Sequence, residues 1–486
     1  MQLKAAGKVE REDPESGRFL VDIARMRTVF ILSFPNFSEG RCRCLKALTF
    51  KGGVHPLHKQ HEGKNLSKGE ALKEYVASTV VIPMSQHIGA PCTPCVQVGD
   101  EVKMGQKIGE PGGFVSAPIH ASVSGKVVAV EPRPHVSGMK VLSVVIENDG
   151  KDTLDESVQP KGTLESLSAD ELKKIMVEAG IVGMGGAAFP THVKYAVKPE
   201  QKVDYLIING AECEPYLTSD HRMMLENSDK IARGVQLLKK ASGAPVAIIG
   251  IENNKPDAIA AMKKAVEGKE GLKVAELMTK YPQGGEKQLI FAITGREVPK
   301  GALPIAAGCI VSNVSTAAAM ADAVELGMPL IRRSVTITGA VKHPGNYLLR
   351  VGTLYSDIFE HCGGFDGEPT KIISGGPMMG LAVATAEIPV TKGTSGLTVF
   401  SAREDKKVIE SNCIRCGRCV DICPMGLRPY LLATAGRKGN VEVLKGADVL
   451  SCINCGSCTF ICPAKRDLAQ SIALGKRVLA KATPKK

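Results

Sequence analysis

The sequence predicts a multidomain chain that combines α/β and α+β folds, and three observations lead to this prediction. Its 486 residues are enough for about three or four domains. Short β-branched strands alternate with turns between residues 79 and 149, whereas helical periodicity, a glycine-rich loop and apolar strands follow. Near the end of the chain, eight of the fifteen cysteines form two copies of one motif. Each region therefore has its own predicted fold.

Residues 1–44 mix charges without periodicity, and we expect a disordered extension or the product of a misassigned start codon. We assign no role to Cys42 and Cys44 in this region. No run of about eighteen apolar residues occurs, and the apolar stretch 29–34 is too short for a signal peptide. The sequence therefore predicts a soluble cytoplasmic chain.

Residues 45–150 are predicted to form a β-sandwich, because short strands flank a Val-Gly-Asp-Glu-Val turn and precede a Ser-Gly-Lys-Val-Val strand. The pattern resembles the biotinyl/lipoyl-type hybrid fold, but the carrier-lysine hairpin of that fold is missing, so we interpret the module as a scaffold. Cys92 and Cys95 form an isolated C-x2-C pair, which we interpret as reduced and structural. A redox disulfide or an additional metal site is the alternative.

Residues 165–325 are predicted to form an α/β domain with a ligand site. Gly183, Gly185 and Gly186 follow an amphipathic helix, and they let a flat ring or a phosphate approach the main chain. Lys194 adds a cation to the same region. The apolar strand 203–208 runs into a polar segment that begins at Asn209, and ligands bind at such carboxyl ends of strands in open sheets. A tight turn explains the glycines alone equally well, so the prediction rests on the combination.

Residues 332–400 read as a small β-rich unit, with a strand, a Pro-Gly turn, a second strand and a helix ended by Gly363 and Gly364. The unit resembles the soluble-ligand-binding β-grasp module. We interpret it as a scaffold that separates two redox domains. Its Gly-Gly-Pro-Met-Met-Gly stretch (375–380) is expected to pack on the domain that follows.

Residues 405–480 are predicted to form an α-rich ferredoxin-like domain, because both cysteine motifs read C-x2-C-x2-C-x3-C-P. This is the bacterial spacing for [4Fe–4S] clusters, in which the fourth cysteine ligates the other cluster. Zinc also favours paired cysteines, but it would not require this doubled order. The predicted ligands are Cys413, Cys416, Cys419 and Cys462 for one cluster, and Cys452, Cys455, Cys458 and Cys423 for the other.

The charge of the chain is concentrated in this last region. Residues 405–486 contain fifteen Lys or Arg and six Asp or Glu, within a total net charge of +12. A basic face beside redox clusters can attract an acidic carrier, an acidic partner subunit or a lipid surface. Residues 465–482 have a possible apolar stripe of Leu468, Ile472 and Val478 or Leu479, which indicates a docking helix. A terminal helix packed on its own domain is the alternative.

Four motifs in the same order carry a resemblance that runs from about residue 45 to residue 474. GMGGAAFPTHVK (183–194) and NGAECEP (209–215) resemble the flavin-binding subunit of respiratory complex I. Together with KALTFKGGVHP (46–56) and the double cysteine motif, they resemble still more closely the C subunit of the Rnf electron-transport complexes. Met184, Ala188 and Lys287 depart from the complex I pattern, which puts details of nucleotide contact in doubt.

The resemblance implies FMN and two [4Fe–4S] clusters as cofactors, with NAD(H) as substrate. It implies that a cradle around FMN is built by the glycine loop and Lys194, that Phe189 stacks on the nicotinamide dinucleotide, and that Glu214 lies near the nicotinamide. No acid or base catalyst is nominated, because hydride transfer needs none. The cofactor-binding residues implied are Gly183, Gly185, Gly186, Phe189, Lys194, Asn209, Glu212, Glu214, Glu286, Asn313 and Thr316.

The function implied is that of a peripheral subunit of a membrane-bound ferredoxin:NAD⁺ oxidoreductase, on the cytoplasmic side of the membrane. Electrons would pass between NAD(H), FMN and the clusters, and other subunits would couple this transfer to Na⁺ or H⁺ transport, which is translocase chemistry. The expected partners are the other subunits of the membrane complex, including a ferredoxin-linked electron donor subunit, and not nucleic acid. The alternative is a non-enzymatic iron–sulfur scaffold or ligand-sensing relative that lacks the flavin.

Overall fold

A computed structural model describes residues 47–55, 63–405 and 408–483. The predicted extension of residues 1–44 lies outside the described residues, and so do Cys42 and Cys44. Within the described ranges, no helix is long and apolar enough to cross a membrane.

The first described segments belong to domains that lie far along the chain. Leu48 forms a parallel bridge with Leu277, and Val54 forms an antiparallel bridge with Tyr281. Strand β1 (Leu72–Tyr75) pairs in parallel with β14 (Gly345–Arg350). Residues 47–55 and β1 therefore contribute no strand to the β-sandwich, whose strands begin at Thr79.

The β-sandwich consists of a four-stranded sheet in the order β2-β8-β7-β4 and a three-stranded sheet in the order β3-β5-β6, both antiparallel. Alternating apolar residues, such as Val80 and Ile82 on β2, fill the space between the sheets. Its strands are β2 (Thr79–Pro83), β3 (Thr93–Pro94), β4 (Glu101–Val102), β5 (Lys107–Glu110), β6 (Ile119–His120), β7 (Gly125–Pro134) and β8 (Lys140–Asn148).

The second domain is a parallel four-stranded sheet in the order β11-β10-β9-β12, covered by helices on both faces. Leu206 and Ile208 of β9 face the core formed with α1, α4 and α7, while Ile207 faces α6. The elements are α1 (Ala169–Glu178), α2 (Thr191–Tyr195), β9 (Tyr205–Gly210), α3 (Ser219–Glu226), α4 (Ser228–Ser242), β10 (Val246–Glu252), α5 (Pro256–Val266), β11 (Leu272–Leu277), α6 (Glu286–Thr294), β12 (Cys309–Asn313) and α7 (Val314–Glu325).

The third domain is a mixed six-stranded sheet in the order β1-β14-β13-β17-β15-β16, with helix α8 packed on it. Its central strands β13 and β17 run parallel, and its outer pairs β15–β16 and β15–β17 run antiparallel. The remaining elements are β13 (Arg332–Gly339), α8 (Tyr355–His361), β15 (Pro369–Ser374), β16 (Leu381–Val383) and β17 (Gly396–Ser401).

The last domain is helical and small. Helices α10 and α13 pack so closely that a Cβ on Gly436 would lie 2.2 Å from the carbonyl oxygen of Ser471. Leu468, Ile472 and Leu479 of the predicted stripe are buried in this core, so α13 packs on its own domain. The helices are α9 (Arg418–Asp421), α10 (Pro429–Lys438), α11 (Val441–Gly446), α12 (Ser457–Ile461) and α13 (Leu468–Ala482).

Candidate functional site

The glycine-rich loop of residues 181–190 is held between α1 and the first turn of α7. Val182 bridges Pro190, and the amide of Gly183 donates to the carbonyl of Phe189 at 2.8 Å. The amide of Met184 donates to the hydroxyl of Thr316 at 3.0 Å. Thr316, a predicted cofactor-binding residue, is buried and fixes the loop on the N-terminal end of α7. That end of a helix favours anions.

Two glycines at the tip of this loop form an open cradle. Gly185 and Gly186 are exposed, and the structure shows no hydrogen bond from their amides to the described residues. A Cβ on Gly186 would meet no atom within 4 Å, whereas a Cβ on Gly185 would lie 2.9 Å from the side-chain nitrogen Nδ2 of Asn313. The loop therefore presents bare main chain beside a helix N-terminus, which suits a phosphate or a flat ring.

The two asparagines predicted at the site lie side by side at the carboxyl ends of neighbouring strands, where Asn313 is in register with Asn209. Asn209 donates to the carbonyl of Gly284 at 2.9 Å. Asn313 caps α7 through the amide of Ser315 and donates to the carboxylate of Asp220 at 2.7 Å. Burial raises the pKa of Asp220, while hydrogen bonds from Asn313 and Ser315 favour its charged form.

A cation and a carboxylate complete this edge of the sheet. The Nζ atom of Lys194 lies 3.1 Å from a carboxylate oxygen of Glu286 and donates to the carbonyl of Val311, also at 3.1 Å. Both side chains keep contact with solvent, so they remain accessible to a ligand. Glu286 is the first residue of α6. Phe189, whose carbonyl accepts from Gly183, is half-buried.

The carboxylate of Glu212 bonds the start of helix α3. It accepts hydrogen bonds from the amides of Asp220 at 2.7 Å and His221 at 3.1 Å, and so caps this helix. The main chain around it is fixed by Lys64, whose Nζ donates to the carbonyls of Glu212 and Glu214. The predicted contact of Glu212 with a flavin therefore competes with a structural role at the N-terminus of α3.

The side chain of Glu214 contacts the third domain. Its carboxylate accepts hydrogen bonds from the amides of Met378 at 3.0 Å and Met379 at 2.8 Å. Burial raises the pKa of Glu214 to about 7, against the effect of these hydrogen bonds. Both carboxylate oxygens are thus engaged by the main chain of another domain, and the placement of Glu214 beside a nicotinamide stays a prediction.

The two cysteine motifs fold alike. Arg415 and Asn454, at equivalent positions, both have left-handed backbone angles, with φ of 56°. Gly417 and Gly456 follow, also left-handed, and each precedes a short helix. The amides of Arg415 and Asn454 each donate to the sulfur of the first cysteine of their motif, at 3.4 Å. Such a turn wraps the backbone around a central group and directs amides at its sulfurs.

Cys423, the fourth cysteine of the first motif, lies with the first three cysteines of the second motif. Cys423 lines one cavity together with Cys452, Cys455 and Cys458. Burial raises the pKa of Cys423, and the charges of Cys455 and Cys452 raise it further.

At the first motif, Cys462, the fourth cysteine of the second motif, lies near Cys419. Burial is the largest cause that raises the pKa of Cys419, and the charges of Cys462 and Cys413 add to it. This arrangement fits two clusters with exchanged fourth ligands.

Some residues that shape the site were not predicted from the sequence. Buried Arg333 donates to the carbonyl of Met184 at 2.6 Å, and Asp220 orients Asn313. Asp220 lies in the same sequence block as Asn209 and Glu214, so its polarity beside that segment was an available signal. No sequence signal pointed to Arg333, since it is 149 positions away from Met184 along the chain.

The isolated cysteine pair shows no disulfide, as both thiols are free. Cys92 is buried and donates to the carbonyl of Ala117 at 3.1 Å, while Cys95 is exposed.

Four family models match successive parts of the chain. They are an RnfC barrel sandwich hybrid domain at residues 48–151, a Nuo51 FMN-binding domain at 176–322, an SLBB domain at 334–382 and a 4Fe-4S dicluster domain at 412–466. These matches agree with the multidomain fold, the FMN and the two [4Fe–4S] clusters predicted from the sequence.

Several curated proteins are similar over most of the chain. The C subunit of a Na(+)-translocating ferredoxin:NAD(+) oxidoreductase complex from Acetobacterium woodii is 52% identical over 430 residues, 88% of this chain and 96% of that protein. A proton-translocating counterpart from Clostridium ljungdahlii is 52% identical over 80% of this chain and 85% of its own length. The C subunit of an ion-translocating oxidoreductase complex from Rhodobacter capsulatus is 40% identical, with 82% and 77% covered.

Among solved structures, a chain of an NAD⁺-reducing [NiFe]-hydrogenase in the air-oxidised state matches 67% of this chain and 65% of its own length. The TM-score is 0.48 and the sequence identity is 19%.

Proposed function

The chain belongs to the family of C subunits of the ion-translocating ferredoxin:NAD(+) oxidoreductase complexes, and we propose that it passes electrons between NAD(H) and the other subunits of such a complex. The observation that carries the proposal is the contact between its two redox modules. Helix α6, which begins at Glu286 beside the glycine loop, reaches the cysteine domain where Gln288 donates to the sulfur of Met425 at 3.2 Å. Met425 is two residues from Cys423.

FMN is the group that the glycine loop fits. When bound, FMN accepts a hydride as an electron pair and releases single electrons. We infer that Gly183, Gly185 and Gly186 would hold it through the main chain and that Lys194 would supply a positive charge. Asn209, Asn313 and Glu286 lie at the same sheet edge and would orient it.

The cysteines would hold two [4Fe–4S] clusters with exchanged fourth ligands. Cys413, Cys416, Cys419 and Cys462 would bind one, and Cys452, Cys455, Cys458 and Cys423 the other. The amide–sulfur contacts and the left-handed turns of both motifs support this assignment.

Assembly with other subunits is proposed from the family. We infer a peripheral position on the cytoplasmic side of a membrane complex, in which other subunits carry out ion translocation. Two relatives that are each 52% identical to this chain are named for different ions, Na⁺ and protons. This supports placing the choice of ion in the other subunits.

The flavin assignment is tested by Gly186→Val in the full chain, purified without oxygen. A branched side chain would occupy the open space above the loop, so we expect flavin content to fall at least about tenfold while iron content is retained. Gly69→Val is a matched control, because Gly69 is also exposed and a Cβ there also meets no atom within 4 Å. Normal flavin content in Gly186→Val would place the cofactor elsewhere.

The same samples distinguish an electron carrier from the alternative iron–sulfur scaffold without a flavin. An electron carrier should show flavin absorbance that bleaches when NADH is added, together with iron for two clusters. Full iron content with no flavin and no response to NADH would favour the scaffold.

A further inference from the structure

Three domains meet at the second cysteine motif, and the contacts there include Tyr281 and Met378, which the FMN and cluster assignments do not use. Tyr281 is contributed by the α/β domain, Met378 by the six-stranded sheet domain and Cys455 by the helical domain. They share one small apolar cluster with Val54. We call this cluster the three-domain junction.

The hydroxyl of Tyr281 forms a hydrogen bond with Cys455, a predicted cluster ligand. It donates to the carbonyl of Cys455 at 2.8 Å, and both residues are buried, with 1% and 8% of their surfaces exposed. The main chain of Tyr281 is itself fixed, because its N–H and C=O pair with Val54 at 2.7 Å in both directions. Little freedom therefore remains for the hydroxyl to move away from the Cys455 carbonyl.

The loop of residues 376–380 covers the next residue of the motif. A Cβ on Gly456 would lie 3.0 Å from the carbonyl oxygen of Met378, so this loop approaches the turn at main-chain distance. Glu214 holds the loop in place by accepting from the amides of Met378 and Met379. A Cβ on Gly376 would lie 2.4 Å from the carboxylate of Glu214, which accounts for the glycine there.

We propose that Tyr281 and Glu214 are positioning residues that set the reduction potential of the cluster held by the second motif. Tyr281 does so by fixing and polarising the Cys455 carbonyl, and Glu214 by holding the loop of residues 376–380 over Gly456. Both residues lie outside the cysteine motifs, in the domain that carries the glycine loop. The inference rests on the proposed cluster ligands.

The physical basis is the sensitivity of iron–sulfur potentials to hydrogen bonds and water near the cluster. A donor on the Cys455 carbonyl offsets the negative end of that dipole. Without the donor, adding an electron nearby becomes less favourable, so the potential falls. The loop of residues 376–380 acts in a second way, since its main chain lies over the turn and keeps water from it.

Tyr281→Phe removes only the hydroxyl, and it is tested in the full chain by redox titration with electron paramagnetic resonance. We expect unchanged iron and flavin content, a more negative midpoint potential for the second-motif cluster and an unchanged potential for the other cluster. Tyr355→Phe is the control, because Tyr355 is also buried and its hydroxyl bonds Ser374 at 2.8 Å within the six-stranded sheet domain. Unchanged potentials in Tyr281→Phe, or equal shifts of both clusters, would overturn the proposal.

A second variant keeps the inference testable if Tyr281→Phe loses iron. Glu214→Gln leaves one of the two loop amides without a good acceptor, so we expect faster hydrogen exchange at residues 376–380 and a changed potential for the second-motif cluster alone. If this variant shows neither of these two changes, the proposed role of Glu214 is refuted. Wild-type chain that lacks either cluster would refute the proposed function instead, before any variant is compared.

Discussion

Lys392 is a buried amine at a junction of domains. Its Nζ atom donates to the carbonyl of Pro118 in the β-sandwich and to the carbonyl of Gly180 in the α/β domain, both at 2.8 Å. Burial lowers the pKa of Lys392 from 10.5 to about 7. The folded chain therefore favours the neutral amine, whereas the unfolded chain keeps the proton.

This difference in pKa makes stability depend on pH. Between pH 7 and 10.5 the unfolded state binds more protons, so the free energy of unfolding should rise with pH, by up to about 1.4 kcal/mol per unit. Lys392→Met should remove this slope, measured by urea unfolding at pH 7, 8 and 9. Lys263→Met, at an exposed position on α5, is the control and should keep it. Identical slopes for wild type and Lys392→Met would contradict the expectation.

The exchange of fourth ligands is testable at Cys423. Because Cys423 lies with Cys452, Cys455 and Cys458, Cys423→Ala should impair the cluster of the second motif and spare that of the first. We expect iron content to fall by about half, with one set of paramagnetic signals retained. Cys95→Ala, an exposed cysteine outside both motifs, should change neither. Loss of the first-motif signals alone would show that each motif keeps its own fourth cysteine.

Local spacing predicted the cysteine groups, but it did not predict the directions of Glu212 and Glu214. The first three cysteines of each motif are brought together by a turn within that motif, so this part of the grouping follows from a short stretch of sequence. The two glutamates follow one strand, but their partners differ. Glu212 caps the nearby helix α3, whereas Glu214 bonds a loop 164 positions later. No local pattern encodes the contact of Glu214.

At the scale of elements, helix α13 shows how tertiary packing overrides local propensity. A glycine such as Gly475 weakens an isolated helix, yet α13 runs unbroken from Leu468 to Ala482. The structure supplies the reason, since Gly436 and Gly475 let α10 and α13 approach to main-chain contact. A glycine that weakens an isolated helix is here required for close packing against the neighbouring helix.

Gly436→Ala should therefore destabilise the helical domain. Its methyl group would lie 2.2 Å from the carbonyl oxygen of Ser471, and forcing the helices apart should cost about 1–3 kcal/mol. Gly446→Ala in α11 is a matched helical control, because a Cβ there meets no atom within 4 Å and should be neutral or slightly stabilising. Thermal unfolding of the two variants measures the contrast, and equal midpoints would refute the tight packing.

For the whole molecule, the order of the domains could be predicted from composition and motifs, but their interleaving could not. Residues 47–55 and β1 pair with strands that lie more than two hundred positions away. Gly53 donates to the carbonyl of Ile422, which joins this early segment to the helical domain beside Cys423. Such pairings depend on the assembled surfaces of several domains, so a division of the sequence into consecutive modules misses them.

The basic end of the chain must also be judged on the assembled molecule. We propose that it contributes to docking on the partner subunits. Lys476 does not belong to a free surface, because its Nζ donates to the carbonyl of Cys452. Reversing its charge would disturb the second motif and confuse the outcome. Arg477 and Lys481 are exposed on the other side of α13 from the buried Leu479 and suit the experiment better.

Replacing Arg477 and Lys481 by Glu should weaken association with the membrane subunits and leave NADH oxidation by an artificial acceptor unchanged. The loss should be largest at low ionic strength, where charges are least screened, and should shrink as salt is added. Replacing Lys263 and Lys264 of α5 by Glu changes the net charge equally on a different exposed surface, and should leave association largely intact. Co-purification with the membrane subunits across a salt series measures both variants. An equal effect of the two pairs would mean that only overall charge matters, and full retention of both would show that the end of α13 takes no part in docking.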